Sequence, residues 1–103
     1  MTAKLTVVYD QPTDPDAFER HYAEVHVGLA GAIPGVQRAE LARVFPKEDG
    51  TAPPAYRIAE FSFADYDAAC AALASPEGQA TAQDALTIGT GGVQFLLSDI
   101  EVG

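Results

Sequence analysis

The first patterned stretch of the chain, Leu5-Thr6-Val7-Val8-Tyr9, is rich in β-branched and aromatic residues and ends at Asp10-Gln11-Pro12, which predicts a strand. Asp14-Pro15 then carries a helix-start signal: Asp as N-cap, Pro at the first helical position, and Asp16 and Glu19 in the first turn. Within this helix Phe18, Tyr22, Val25 and Leu29 recur at helical period and form one apolar stripe. Gly28 and Gly31 weaken its last turns, and Pro34-Gly35 stops it. Val36 to Phe45 reads as a second strand, with Arg38 and Glu40 on one face. Pro46 to Pro54 is a loop by composition and the only stretch expected to be disordered. Ala55 to Ala64 is a third strand, with Ala59, Phe61 and Phe63 on one face and Tyr56, Ile58, Glu60 and Ser62 on the other. Asp65 caps a helix through Ala74, Ser75-Pro76-Glu77 restarts one that runs to Leu86, and Val93 to Leu97 is the last strand.

The order β-α-β-β-α-β is that of a ferredoxin-like, α+β domain: a four-stranded antiparallel sheet with helices on one face. The second and third strands, joined by a connecting loop, are expected to pair as antiparallel neighbours. The other sheet face mixes Tyr56 and Ile58 with Glu60 and Ser62, a composition suited to partial burial. A second copy covering it would close a two-subunit α/β barrel, so the sequence predicts a homodimer.

Size and charge narrow the field. The 103 residues are expected to form a single domain over 1–103. Six basic against fifteen acidic residues leave a net charge of −9, which works against nucleic-acid binding and against anionic membrane surfaces. The lone Cys70, in an alanine-rich run, excludes an internal disulfide and a cysteine-based metal cluster; it reads as a buried, inert thiol. Met1-Thr2-Ala3-Lys4 leads straight into the first strand without a signal-peptide layout, and a cytoplasmic location is expected.

The candidate chemistry is sparse. His21 and His26, the only histidines, lie on the first helix. Five residues apart, they differ by roughly 140° around a regular helix and so cannot chelate one metal from it. Each is expected to flank the apolar stripe from the opposite side, His21 near Phe18 and Val25, His26 near Tyr22 and Leu29, where it either reaches the interior with its other nitrogen on a carboxylate or backbone oxygen or is simply a hydrogen-bonded boundary residue. Glu60 interrupts an apolar strand: it could act as a base or hold an imidazolium, or else face the dimer cavity or pair with Arg38 or Arg57. Tyr9 offers a phenol to a carbonyl or an oxyanion, or is a core or rim tyrosine; Tyr56 carries the same alternatives. Gly89-Thr90-Gly91-Gly92 follows a helix and precedes a strand, the reverse of a phosphate-loop context, and reads as a turn. No zinc, haem or flavin motif is present.

Several segments in order resemble the EthD family of the dimeric α/β-barrel superfamily. They are Val8-Tyr9 with Gln11-Pro12 and Asp14-Pro15, Phe18 to Leu29 with Ile33-Pro34-Gly35, Tyr56 to Glu60, Ala74 to Gln79, and Gly89 to Val93. The resemblance implies a subunit that dimerises by packing sheets. It also implies relatives that act without metal or organic cofactor on small aromatic or lactone-like molecules, as lactone isomerases, polyketide cyclases, dehydratases or anthrone-type oxygenases. It places His26 toward the pocket between helix and sheet; His21 is a frequent family residue with a less defined role. The chain departs from the family at Gly28, where relatives often carry Pro, and at Ala39, where many carry Tyr.

Together these readings give a cofactor-independent enzyme acting on a hydrophobic carbonyl, lactone or polyketide-like small-molecule substrate. His26 is its expected general acid/base, Tyr9 and Glu60 orient it or the substrate, and His21 assists at the rim. The rivals are an EthD-type oxidoreductase or monooxygenase accessory, and a non-catalytic carrier using the same pocket. A nicotinamide-dependent reductase lacks any visible dinucleotide-binding element.

Overall fold

The computed structural model describes residues 2–103. Its elements are β1 (Ala3–Tyr9), α1 (Pro15–His21), a π-helical turn (Tyr22–His26), α2 (Val27–Gly31), β2 (Arg38–Arg43), β3 (Arg57–Phe63), α3 (Tyr66–Ala74), α4 (Pro76–Ile88) and β4 (Val93–Asp99). The four strands form one sheet in the order β2-β3-β1-β4, with every neighbouring pair antiparallel. This is the ferredoxin-like arrangement predicted from the pattern. The strand bounds shift by a few residues: β1 begins earlier, β4 runs two residues further, and β2 and β3 are shorter than their apolar runs.

Side-chain caps set the helix starts. Asp14 accepts from the Ala17 N–H at 3.1 Å, Asp65 from Ala68 at 2.8 Å and Ser75 from Gly78 at 3.0 Å, each satisfying an amide the first turn would leave unpaired. One sheet face packs against the helices through Leu5, Val7, Tyr9, Ala59, Phe61 and Phe63. Phe18 and Tyr22 from the first helical region and Ala69, Ala72, Ala85 and Ile88 from α3 and α4 close this core. α3 packs on β1 and β3, while α4 packs mainly on α3, α2 and the π turn. Gly91 and Gly92 fit the turn reading of the glycine run. A Cβ on Gly91 would overlap the Gln11 carbonyl oxygen, and Gly92 sits at φ +118°, so β4 enters the sheet beside the end of β1 only with glycines there.

Two expectations are corrected. Tyr56 lies just before β3 rather than on the open sheet face. It is buried, its ring packs edge-on against Phe18, and its hydroxyl donates to Glu19 at 3.0 Å. The helix after β1 is not regular, and the chain crosses it through a π turn in which the Val27 N–H donates to the Tyr22 carbonyl, five residues back. Among the described residues no helix is long and apolar enough to cross a membrane.

Replacing Ser75 by Ala removes the hydroxyl that restarts the chain as α4, and is expected to lower stability by about 1 kcal/mol. Urea unfolding of the two proteins checks it: an unchanged midpoint would mean that Pro76 alone sets the helix start.

Candidate functional site

The π turn decides which residues of the first helical region face inward. Closing backbone bonds over five residues instead of four slows the angular progress of the chain, so residues four apart stay on one side. Phe18, Tyr22, His26 and Ala30 are the buried ladder. The predicted stripe of Phe18, Tyr22, Val25 and Leu29 therefore breaks at its third member: Val25 is 41% exposed, while His26, at 4%, takes the interior position. The expectation that the two histidines flank the stripe from opposite sides is overturned for the same reason, because the π turn is the segment that separates them.

Both histidines meet one carboxylate. His21 Nε2 lies 2.7 Å from Asp84 Oδ1, and His26 Nδ1 lies 2.8 Å from Asp84 Oδ2. On its other side His26 Nε2 is 3.0 Å from the hydroxyl of Tyr9, which is fully buried at the end of β1. Four side chains from three parts of the chain thus form one hydrogen-bonded line, Tyr9–His26–Asp84–His21. It runs from the core to the surface, and the His21 side chain at its outer end is 38% exposed.

The ionisation of Asp84 fixes the proton positions. Burial by itself would push its carboxyl up, but the hydrogen bonds and charge of His21 and His26 outweigh that and hold it below the usual carboxylate range. An ionised carboxylate only accepts, so His21 donates from Nε2 and His26 donates from Nδ1. When its imidazole is neutral, His26 then presents its Nε2 lone pair to Tyr9, whose hydroxyl donates. Burial, with smaller contributions from Tyr22 and Asp84, pushes the Tyr9 phenol well above its ordinary value, so Tyr9 remains a neutral donor.

Around this line the environment is aromatic and apolar. Tyr9 meets Phe18, Tyr22 and His26 edge-on, and Tyr22 stacks on both Phe18 and His26. The Tyr22 hydroxyl is buried without a hydrogen-bond partner. Tyr9 and His26 also line a small cavity of about 20 Å³, whose other walls include Leu5, Val7, Ile33, Phe61, Thr81 and Phe95. Beside it Glu19 accepts from Arg57 through both carboxylate oxygens, at 2.6 and 2.9 Å, and the Arg57 guanidinium lies over the Tyr22 ring at 4.6 Å. That bidentate pair lowers the Glu19 carboxyl and clamps α1 to the start of β3.

Of the predicted site residues, the structure brings Tyr9, His26 and His21 together and leaves Glu60 apart. Glu60 lies on the open face of the sheet and pairs at 2.8 Å with Lys4 on β1, not with Arg38 or Arg57, so it neither orients His26 nor reaches the cavity. Its strand position explains this: Ala59 and Phe61 point to the helices, and Glu60 between them must point away. Cys70 is half-buried on α3 rather than fully buried as expected. The residue that sequence reasoning missed is Asp84. A signal was available, since Asp84 is the only charged residue between Glu77 and Asp99 and lies three residues after Thr81 and four before Ile88, at the edge of the buried face of α4. Among the described residues no group of three or more His, Cys, Asp or Glu side chains is arranged to hold a metal ion.

Comparison with known proteins agrees with this architecture. Residues 10–87 match the family model of the EthD domain. An uncharacterised 11.0 kDa protein of the thcB–thcC intergenic region of Rhodococcus erythropolis is 41% identical over 98 residues, covering 95% of this chain and 94% of the relative. The crystal structure of an ethyl tert-butyl ether degradation (EthD) family protein from Bacillus halodurans superposes with a TM-score of 0.89 at 27% identity, over 96% of this chain and 98% of the other. SnoaB of Streptomyces nogalater, described as a cofactor-independent oxygenase, shares the fold at TM-score 0.65 and 20% identity, over 99% and 94% of the two chains. A dimeric ferredoxin-like protein from Jannaschia sp. does so at TM-score 0.70 and 17% identity, over 96% and 99%.

Because Asp84 is held below the ordinary carboxylate value of about 3.9, its contribution to stability is present above that value and is lost as the pH falls through the lower folded one. Asp84→Asn is therefore expected to be less stable than the parent at pH 7, with the gap closing toward about pH 2. Urea midpoints at the two pH values measure it, and an equal gap at both would place the effect outside the carboxylate's charge.

Proposed function

Because this chain belongs to the EthD domain family, we propose that it is a cofactor-independent enzyme that moves a proton on a hydrophobic carbonyl, lactone or polyketide-like substrate, in an isomerisation, dehydration or cyclisation. The single observation that carries this reading is the buried Tyr9–His26–Asp84 line, which ends in an apolar cavity with no other ionisable lining. Its parts match what enolisation requires: a base, a neutral donor for the developing oxyanion, and a fixed charge that stabilises the protonated base.

In the resting arrangement the Tyr9 hydroxyl donates to His26 Nε2. The cavity is about the size of one water, so its apolar walls must part for a substrate, whose carbonyl oxygen then takes over that hydrogen bond by rotation of the hydroxyl alone, since the phenol ring is fixed in the core. Nε2 is then free to accept a proton from the carbon beside the carbonyl. The electron pair of the broken C–H bond moves onto the carbonyl oxygen, where Tyr9 donates to it. The imidazolium, held at Nδ1 by Asp84, returns the same proton to a different atom of the substrate. For an isomerisation that atom is a carbon; for a dehydration it is the oxygen of the departing hydroxyl. Asp84 keeps its charge throughout and holds His26 in the tautomer that begins the cycle. His21, hydrogen-bonded to the other carboxylate oxygen and open to water, links the line to bulk solvent. The likeness to SnoaB is one of fold; it supports the reading only in that a protein described as cofactor-independent has been built on this frame.

The functional unit is a homodimer. The open sheet face carries Val8, Ile58 and the half-exposed Leu96 among Thr6, Ser62 and the Lys4–Glu60 and Arg38–Glu40 pairs, a surface on which a second copy would bury apolar area with each charge already paired. Sedimentation is expected to report twice 10.8 kDa, with Leu96→Asp shifting the chain toward the monomer. A wild-type monomer would end this part of the proposal.

For the chemistry, His26→Gln is expected to lower kcat on a turned-over ketone or lactone by about 10²–10⁴-fold, and Tyr9→Phe by a smaller factor, with substrate binding kept. Screening for exchange of the proton beside the carbonyl into deuterium oxide, by NMR, finds such a substrate without knowledge of the product. Ligands that bind and leave without exchange in the wild-type protein would make it a carrier instead.

A further inference from the structure

A second apolar space adjoins the first. Between the end of α2 and the edge strand β2 a groove of about 330 Å³ opens to the surface, walled by Val27, Ile33, Val36, Ala39, Leu41 and Phe61. Ile33 and Phe61 are also walls of the small cavity lined by Tyr9 and His26, so the two spaces adjoin across these two side chains. Their sizes differ in a way that matters. About 20 Å³ admits one water and no carbon skeleton, whereas about 330 Å³ is within the range of small-molecule sites. No charged side chain lines the groove, and Val27 and Leu41 stay well exposed along it. Ile33 belongs to the segment 32–37, which is neither helix nor strand and follows α2 directly. Ile33 therefore stands between the two spaces on backbone that no strand ladder holds.

We infer that the groove is the binding site for the apolar tail of the substrate, an uncharged, elongated ketone or lactone whose carbonyl end passes Ile33 and Phe61 to reach Tyr9 and His26. The inference rests on the proposed proton-transfer reading for the carbonyl end and adds to it the shape and chemistry of the remainder. The mechanism asks only for a carbonyl, whereas the groove asks for a chain of methylenes or an extended ring system attached to it.

The glycines of α2 supply a clean test. Gly31 lines the groove, and Gly28 does not. At each, an added Cβ meets nothing within 4 Å and the backbone is not left-handed, so a leucine at either position adds bulk without strain and favours the helix. The probes are alkyl phenyl ketones from acetophenone to octanophenone, titrated by calorimetry and followed by NMR of the His26 ring. In the wild type and in Gly28→Leu, affinity is expected to rise roughly fourfold for each added methylene, as tail carbons leave water. In Gly31→Leu the rise is expected to flatten, with acetophenone binding as before. Affinity indifferent to chain length, or a rise that Gly31→Leu leaves intact, overturns the groove as the tail site. In that case a His26 ring shifted by acetophenone still supports the proton-transfer reading. The reverse pattern, a chain-length effect removed by Gly31→Leu with the His26 ring unmoved, keeps the tail site and sinks that reading. Failure of the whole series to bind overturns the proposed ligand class.

Discussion

The carboxylate of Asp84, shared between His21 and His26, is the interaction on which the candidate site depends. An imidazole buried among Tyr9, Phe18 and Tyr22 would strand polar nitrogens in a poorly solvating interior, at a cost of about 1–3 kcal/mol for each one left unpaired. Asp84 satisfies one nitrogen and the Tyr9 hydroxyl the other, so the interior position of His26 becomes tolerable only once α4 is docked. The π turn and the docking of α4 are therefore one structural decision. Without the turn, Val25 would take the inward place and the carboxylate would face an apolar wall. Without Asp84, the turn would bury a histidine for no return.

The sheet divides the remaining charges by function. On the helix side, the bidentate Arg57–Glu19 pair anchors α1 next to the aromatic cluster, and the guanidinium covers the Tyr22 ring instead of entering the cavity. The cavity thus stays free of fixed charge apart from what His26 gains or loses. On the open side, Lys4 and Glu60 neutralise one another across β1 and β3. Two carboxylates that look alike in the sequence, Glu60 in a strand and Asp84 in a helix, have opposite fates because strand alternation turns one outward and helical period turns the other toward the core.

Period, caps and turn residues made most of the fold legible before any coordinates. Asp14-Pro15, Asp65 and Ser75-Pro76 each start a helix by satisfying amides within their own first turn, and the strands alternate with a period of two. These are local effects, settled within a few neighbours, and the strand order follows once helices must cover a single face. Tyr9 and His26 were legible as candidates because histidines are few in this chain and both residues lie at an element end or stripe edge, but it was the resemblance to the EthD family that turned His26 toward the pocket.

What the tertiary structure decided was every feature that depends on a partner distant in sequence. A π turn costs helix geometry locally and is favoured here by contacts 58 and 63 residues away, so the periodicity of the first helix alone pointed to Val25. Asp84 had the sequence mark of a lone charge on an uncharged stretch, but nothing local distinguishes a solvated aspartate from one that orders two histidines. Tyr56 left the open face because β3 begins only at the next residue, and a side chain outside the pleat follows its contacts, Phe18 and Glu19, rather than the alternation. The sequence by itself determined the elements, their order and the covered face; only the folded chain, by closing contacts across more than fifty residues, determined which histidine is inside and what holds it there.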